Sequence, residues 1–205
     1  MFLRARSPLG IRVIWLMILL GLTSCIPTIS PKPKIDIEDG GFLSEEPCGP
    51  PCFWGIVPGK TTEEQAIEIL QERGIFELCS AFDRERAGGE RGIECGSRVF
   101  ISFELGSDIV RGLRFNPPST ITVQDVIEKY GEPESVEVGG VGVHVLNYQM
   151  LLAYPKMFTL IRLSYQKEYP YLLTPLTSVR EIVYYPEFGG EFSLREVWRG
   201  YGEYR

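Results

Sequence analysis

The segments DIVRGLRF (residues 108–115) and SVREIVYY (residues 178–185) carry the pattern on which the predicted fold depends. Each places a Val-Arg pair before branched and aromatic residues and leads to a proline. Residues of these types are enriched in β-strands. A helix-forming segment precedes each of them, so we interpret residues 48–118 and 119–205 as two degenerate helix-plus-strands repeats. Chance similarity between two strand-forming segments is the alternative to a duplication.

The first predicted helix begins at a threonine and ends at a glycine. Thr62 can cap it with Gln65 three residues later, and Thr61 with Glu64 offers the same capping box one residue earlier. Gly74 is a natural residue just beyond a helix end. The apolar residues in between recur at helical spacing: Ala66, Ile67, Ile69 and Leu70.

The remaining pattern predicts an α+β fold, with few helices packed on an antiparallel sheet. A second helix follows Thr122 and ends at residues 131–133 (GEP), and Ser193 with Glu196 predicts a short C-terminal helix. That last helix either docks on the domain or serves as a partner-binding tail. Turns are expected at residues 149–150 and 155–157, and strands at residues 98–104, 108–115, 136–138, 143–148, 151–154, 158–165 and 179–185.

Residues 1–24 have the layout of a secretory signal. Three arginines and no acid precede an apolar run of 10 residues (13–22), shorter than the about 20 residues that a membrane-spanning helix needs. The sequence LTSC at residues 22–25 resembles the bacterial lipobox. That resemblance implies cleavage before Cys25, a diacylglycerol on its sulfur, and further acylation with chains such as palmitate. We therefore expect a lipid-anchored protein on the extracytoplasmic face of a cell membrane or outer membrane.

The mature chain is predicted to be acidic and tethered. Loss of three arginines takes the formal charge from −6 to −9, which argues against nucleic-acid partners and against attraction to anionic lipids. Residues 25–47 contain four prolines and no sustained apolar period, so we expect a flexible tether there. Ile35 and Ile37 offer the alternative of a short edge strand.

Four cysteines follow Cys25, an even number that predicts two disulfides in an exported chain. Three connectivities are possible, and we favour Cys48–Cys52 and Cys79–Cys95 because the members of each pair are close in sequence. The second pair encloses a charged, glycine-rich loop at residues 83–92. A disulfide at the base of that loop would limit its entropy.

Two motifs invite a chemical interpretation. His144 is the only histidine, and we expect it to be a structural strand residue rather than a catalytic one. Cys48 and Cys52 enclose Gly-Pro-Pro, which is similar to the Cys-Gly-Pro-Cys of thioredoxins with one extra proline. We interpret this pair as a structural disulfide that closes a turn, and a thiol-disulfide redox pair is the alternative.

The acidic residues are explained without catalysis. Glu63 and Glu64 fall in the first turn of a predicted helix, where acids are favoured by the helix dipole. Asp36, Glu38 and Asp39 lack the spacing of an EF-hand loop, and weak calcium binding is the only metal chemistry that they offer. We therefore predict no catalytic residue, no metal site and no cofactor.

The motifs PGKTT (residues 58–62) and YGEP (residues 130–133) resemble those of the SmpA/OmlA (BamE-like) lipoproteins, which carry Gly-x-Thr at a helix start and Leu-Gly-x-Pro at a helix end. Here Tyr130 replaces the usual Leu, and the two motifs fall in different repeats. The resemblance implies a role in outer-membrane protein assembly. The repeated helix-then-strands order is also similar to the β-lactamase inhibitory proteins, which implies inhibition of an extracytoplasmic hydrolase.

These features predict an exported, disulfide-stabilised lipoprotein that acts as a non-catalytic protein-interaction module of the bacterial envelope. Its expected partners are the membrane, through the lipid on Cys25, and an envelope protein. Two alternatives stay open at this point: a thiol-disulfide redox lipoprotein that uses Cys48 and Cys52, and an inhibitor of an extracytoplasmic hydrolase.

Overall fold

A computed structural model describes residue 35 and residues 37–84, 90–104, 106–142, 147–186 and 196–205. Within these ranges the chain forms two α-helices, α1 (Glu63–Glu72) and α2 (Val123–Tyr130), and two short 3-10 turns, Phe76–Leu78 and Pro155–Met157. The strands are β1 (Cys79–Arg84), β2 (Glu90–Cys95), β3 (Val99–Phe103), β4 (Val110–Phe115), β5 (Ser135–Val141), β6 (Asn147–Tyr154), β7 (Thr159–Leu163), β8 (Tyr171–Leu173), β9 (Val179–Tyr184), β10 (Glu196–Val197) and β11 (Gly202–Tyr204). The predicted α+β class is confirmed, and the sheet dominates it.

Nine of these strands form one antiparallel sheet in the order β1-β2-β3-β4-β9-β7-β6-β5-β10, and β8 pairs with β11 separately. Strands β1 to β4 follow α1 and run inward from one edge. Strands β5, β6, β7 and β9 follow α2 and run inward from the other side. The two sets meet where β4 pairs with β9 at the middle of the sheet.

Both helices begin at the predicted threonine caps. The Thr62 hydroxyl accepts a hydrogen bond from the backbone N–H of Gln65, whose side chain accepts one from the backbone N–H of Thr62. Thr122 and Asp125 form the same reciprocal pair in α2. The alternative start at Thr61 is not used, because that side chain is buried and accepts a hydrogen bond from an upstream backbone N–H.

The helices also end at the predicted glycines. Gly74 has φ +68°, and the N–H of Ile75 donates to the carbonyl of Leu70, which gives α1 a Schellman end. Gly131 follows α2 with φ +79°. A residue with a Cβ is strained in this left-handed region, so local chemistry sets both ends.

The main hydrophobic core lies between the helices and one face of the sheet. Ala66, Leu70, Val123 and Val126 are the buried residues of the helices. They belong to the same cluster as alternate residues of the central strands, namely Val99, Ile101, Phe103, Leu113, Phe115, Ile161, Ile182 and Tyr184. Each fully buried large apolar side chain contributes about 1.5–3 kcal/mol to folding.

Residues 37–47, predicted as part of the tether, pack on the domain. Ile35, Ile37 and Phe42 are 2%, 0% and 0% exposed, so a flexible tether does not extend over them. Neither isoleucine lies in a strand, so the edge-strand alternative is not formed. Prolines exclude a helix here, but isolated apolar residues can still fill the core. Residues 25–34 lie outside the described ranges.

Three local predictions are corrected. Residues 83–84 and 90–92, predicted as loop, extend the β1–β2 hairpin. Residues 149–150, predicted as a turn, lie inside β6, where Met150 is fully buried. In the predicted C-terminal helix, Glu196 and Val197 form β10 instead, because the edge of β5 offers backbone partners to them. Ser193 lies outside the described residues, and Trp198 packs against the main core.

Candidate functional site

The pair Val110-Arg111 marks a β-bulge. In the β3–β4 ladder, Ser102 is the register partner of Gly112. The next residue of β3, Phe103, is the partner of Val110. Arg111 is therefore the extra residue of a bulge, and such a residue bends its strand and increases the local twist.

The pair Val179-Arg180 forms the same feature. Arg162 of β7 pairs with Glu181, and the next residue, Leu163, pairs with Val179. Arg180 is therefore the extra residue of the second bulge. Each valine also connects its strand to the start of the helix that precedes it in the same half: the N–H of Val110 donates to the carbonyl of Thr61 and that of Val179 to the carbonyl of Ile121, both at 2.9 Å.

The centre of the sheet has local two-fold symmetry. When the two bulges are superposed in sequence, residues 113–115 correspond to residues 182–184. The central ladder pairs Leu113 with Tyr184 and Phe115 with Ile182, and these two pairs are equivalent to each other. The pair Arg114–Val183 is equivalent to itself, so the local axis passes between these two residues.

One row of side chains crosses all nine strands on the face opposite the helices, which we call the open face. Residues of one face alternate with residues of the other along each strand. The second hydrophobic cluster lies on the open face and contains sheet residues and the adjacent Tyr185, with no residue of either helix. The row, in which each residue is the register partner of the next, is Ser80, Glu94, Phe100, Arg114, Val183, Leu160, Ala153, Ser135 and Val197.

The half of this row that follows the local axis is apolar except at Ser135, which is 8% exposed. Val183, Leu160 and Ala153 are 7%, 4% and 0% exposed, and Val197 at the sheet edge is 74% exposed. Leu151 and Tyr185 pack against the buried three. The open face therefore combines a buried apolar strip, formed by Val183, Leu160 and Ala153, with one apolar residue, Val197, that is exposed to water.

A shallow depression of about 150 Å³ lies beside the axis on the open face. Its floor is low because Gly112 and Ser102 are small neighbours, and Gly92 lies on the other side of Ser102. A Cβ on Gly92 would lie 2.6 Å from the ring of Phe82, so the absence of a side chain lets that ring lie against the strand. The lining includes Phe82, Phe100, Ser102, Arg114, Arg162 and Tyr185.

Two arginines give the depression its charge. The guanidinium carbon of Arg114 lies 4.3 Å from the ring centroid of Phe100, a cation–π contact. Arg162 Nη1 lies 2.9 Å from Glu181 Oε2. Both arginines and the glutamate act on Tyr185: burial raises the pKa of its hydroxyl, Arg162 and Arg114 lower it, and Glu181 raises it.

The predicted disulfides are both formed. Cys79 and Cys95 are register partners at the base of the β1–β2 hairpin. Cys48 and Cys52 close a tight turn in which Cys52 donates to the carbonyl of Gly49. Cys52 is 5% exposed. Cys25 and His144 lie outside the described residues.

Of the acidic residues considered for calcium, Asp39 binds the backbone of the following turn. The carboxylate of Asp39 accepts hydrogen bonds from the backbone N–H groups of Gly41, Leu43 and Ser44. Burial raises the pKa of Asp39, but these hydrogen bonds outweigh burial and hold it below the usual value. Glu38 precedes it with φ +46°, and Asp36 lies outside the described residues.

Sequence reasoning did not single out the depression. Arg114 and Phe100 were visible only as polar and apolar positions of two strands. Their contact depends on the β3–β4 register, and a bulge sets that register. The repeated Val-Arg pair was the signal that could have located the bulge, and through it the axis.

Comparisons with protein-family models, with curated proteins and with solved structures find no match for this chain. The resemblances to BamE-like lipoproteins and to β-lactamase inhibitory proteins therefore stay predictions. Of the two helices in the described ranges, neither is long and apolar enough to cross a bilayer.

Proposed function

We propose that this protein is an exported, lipid-anchored, non-catalytic interaction module that contacts an envelope protein through its open face. The observation that carries the proposal is the continuous row across nine strands, centred on Arg114 and Val183. Aromatic residues and arginine are enriched in protein interfaces, and the depression is lined by both. The sheet provides a rigid, twisted platform for a partner surface.

The anchor is proposed from the signal-like residues 1–24 and from Cys25. A single acyl chain holds a protein only marginally, whereas the two or three chains of a bacterial lipoprotein hold it stably. The first described core residue is Ile35, 10 residues beyond Cys25. Fully extended, such a segment spans at most about 35 Å. The anchor would therefore restrict the domain to the envelope side of the membrane, where its partner would reside.

We further propose that the two halves derive from a degenerate duplication. Three features support it: reciprocal capping boxes at Thr62 and Thr122, bulges at Arg111 and Arg180, and a central ladder with local two-fold symmetry. The duplicated arrangement favours one second candidate function, inhibition of an extracytoplasmic hydrolase. In that case the partner on the open face is itself an enzyme, and binding lowers its activity.

A photocrosslinking experiment tests the main proposal. A photoreactive amino acid replaces Glu94 in the row on the open face, and in a matched variant it replaces the exposed Gln71 on α1. We expect one protein adduct in native envelopes from position 94 and none of that mass from position 71. The adduct should disappear when Arg114→Glu is added. The same adducts from both positions, or none from position 94, would overturn the proposal.

The anchor has its own test. Cys25→Ala should abolish labelling by an alkyne analogue of palmitate and should leave the chain unprocessed. If Cys25→Ala leaves lipid labelling intact, the anchor proposal fails, whereas the proposal for the open face stands on the crosslinking result.

A further inference from the structure

At the centre of the open face, within the part of the chain that the structure describes, the positive charge of Arg114 has no matched carboxylate. Arg162 is paired with Glu181 at 2.9 Å. Arg114 makes a cation–π contact with Phe100, and no acidic side chain among the described residues forms a salt bridge with it. The cluster of Arg114, Arg162 and Glu181 around Tyr185 therefore keeps a net charge of about +1.

We propose that the open face binds a protein partner that presents a carboxylate beside an apolar group, and that Arg114 binds the carboxylate. This inference rests on the proposed function and names the partner's chemistry. The guanidinium carbon of Arg114 lies over the ring of Phe100, 4.3 Å from its centroid, and this contact restricts where the guanidinium can lie. Arginine restricted in this way can donate two parallel hydrogen bonds to a carboxylate.

The residue across the local axis from Arg114 indicates why the partner needs an apolar group. The symmetry equivalent of Arg114 is Val183, which is 7% exposed and continues into Leu160. The two halves thus place a charged and an apolar residue side by side. A ligand in the depression meets the guanidinium of Arg114 beside an apolar lining that includes Val183 and Phe100, so it needs an acid next to an apolar group.

The size of the depression limits what can enter it. Its volume of about 150 Å³ corresponds to roughly five water molecules at about 30 Å³ each. That space admits one side chain with its functional group rather than a whole helix. Phe82 and Phe100 border the space on the side of the first repeat and would exclude water from the ion pair. A charge-assisted hydrogen bond is stronger where water is excluded.

The test uses 3-phenylpropionate as the acid probe and 3-phenylpropanamide as the uncharged probe. Each is titrated into the full chain in lipid nanodiscs, and binding is followed by NMR shifts of backbone amides in β3, β4 and β9. We expect a millimolar Kd for the acid and at least about tenfold weaker binding for the amide, which is the effect of about 1.4 kcal/mol. Because the amide partitions into lipid more readily than the acid, a preference for the acid does not arise from the nanodisc.

Three variants separate the role of Arg114 from general effects. Arg114→Gln should weaken binding of the acid by about tenfold, whereas Arg111→Gln, at the exposed bulge residue, should leave it unchanged. Arg114→Lys keeps the charge without the fork and should bind with intermediate affinity. This variant also covers the case in which Arg114→Gln fails to fold. Equal binding of acid and amide, wild-type affinity in Arg114→Gln, or no shifts with either probe would overturn the inference.

Failure here is distinguishable from failure of the proposed function. If position 94 crosslinks a partner but the acid probe shows no preference over the amide, the open face is an interaction surface with another chemistry. If the acid binds at Arg114 but position 94 yields no adduct, the depression is a small-ligand site and the interaction proposal fails.

Discussion

Arg111 and Arg180 occupy equivalent positions in the two halves of the sheet, because each is the extra residue of a β-bulge in a strand that reaches the centre. The valine before each arginine is buried and donates its N–H to the backbone just before a helix cap. The two residues of the repeated Val-Arg pair thus have distinct structural roles. The valine joins helix to sheet, and the arginine faces water where the strand bends.

This equivalence predicts that substitutions at equivalent positions of the two bulges have similar effects on stability. Val110→Ala and Val179→Ala should each lower the free energy of unfolding by about 2 kcal/mol, since each removes buried methyl groups and leaves a cavity. Arg111→Ala and Arg180→Ala should change it by less than about 0.5 kcal/mol, as exposed substitutions do. Urea denaturation measures all four. If an arginine variant cost as much as its valine neighbour, the arginine would have a structural role that the bulge does not explain.

Local chemistry explains which parts of the fold were predictable. The caps at Thr62 and Thr122 and the ends at Gly74 and Gly131 depend on residues within one or two turns of each other, so the sequence displays them directly. Ile35, Ile37 and Phe42 were wrongly placed in a flexible tether. In an irregular segment a core residue does not need other apolar residues at a regular spacing, so the sequence shows no pattern that identifies it.

The candidate site depends on strand register, which the sequence does not display. Phe100 and Arg114 lie 14 positions apart in the chain, and they meet only because a bulge shifts the β3–β4 ladder. A slip of one residue would put them on opposite faces. The same reasoning covers β10, which forms because β5 offers an edge rather than because two residues favour a strand.

Gly92 and Gly112 should respond differently to alanine. A Cβ at residue 92 would lie 2.1 Å from the carbonyl oxygen of Ile101 and 2.6 Å from the ring of Phe82. Gly92→Ala should therefore cost about 1–3 kcal/mol through overpacking against backbone. At residue 112 the nearest atom is Ser102 Oγ at 3.3 Å, and that hydroxyl can rotate, so Gly112→Ala should cost much less. Thermal melting of both variants checks the order, and a reversed order would contradict the geometry of the depression.

Two buried tyrosine hydroxyls provide a test of polar burial. Tyr184 Oη is buried and has no hydrogen-bond partner within the described part of the chain, so Tyr184→Phe should be neutral or stabilising. Tyr171 Oη donates to the carbonyl of Ser164 at 2.6 Å, so Tyr171→Phe should cost about 1 kcal/mol. Chemical denaturation of the two variants compares them directly. Greater destabilisation in Tyr184→Phe than in Tyr171→Phe would show that the Tyr184 hydroxyl has a partner.

The pH dependence of stability should report Tyr171. Burial raises the pKa of Tyr171 to about 12, although hydrogen bonds to Ser164 and Gln166 lower it in part. Since the folded-state pKa exceeds the unfolded value of about 10, the folded state keeps the proton longer. The contribution is fully present below about pH 10 and is lost as the pH rises toward about 12. Unfolding followed across this window should show a shallower loss of stability in Tyr171→Phe than in the unsubstituted chain.

The two disulfides should differ in how much they stabilise the fold. Cys79–Cys95 spans 16 residues and Cys48–Cys52 spans 4. Because loop-closure entropy grows with loop length, replacing the first pair by serine should cost about 3 kcal/mol and the second about 2 kcal/mol.

The same variants decide the redox alternative. If the Cys48–Cys52 bond is structural, the double variant with Cys48→Ser and Cys52→Ser should still give the crosslink from position 94 at a temperature where the domain stays folded. A dithiol probe should also form no mixed disulfide with the intact chain. If the probe instead trapped Cys48 in the native protein, the thiol-disulfide function would become the better proposal, because only an accessible and exchangeable pair can pass electrons to a substrate.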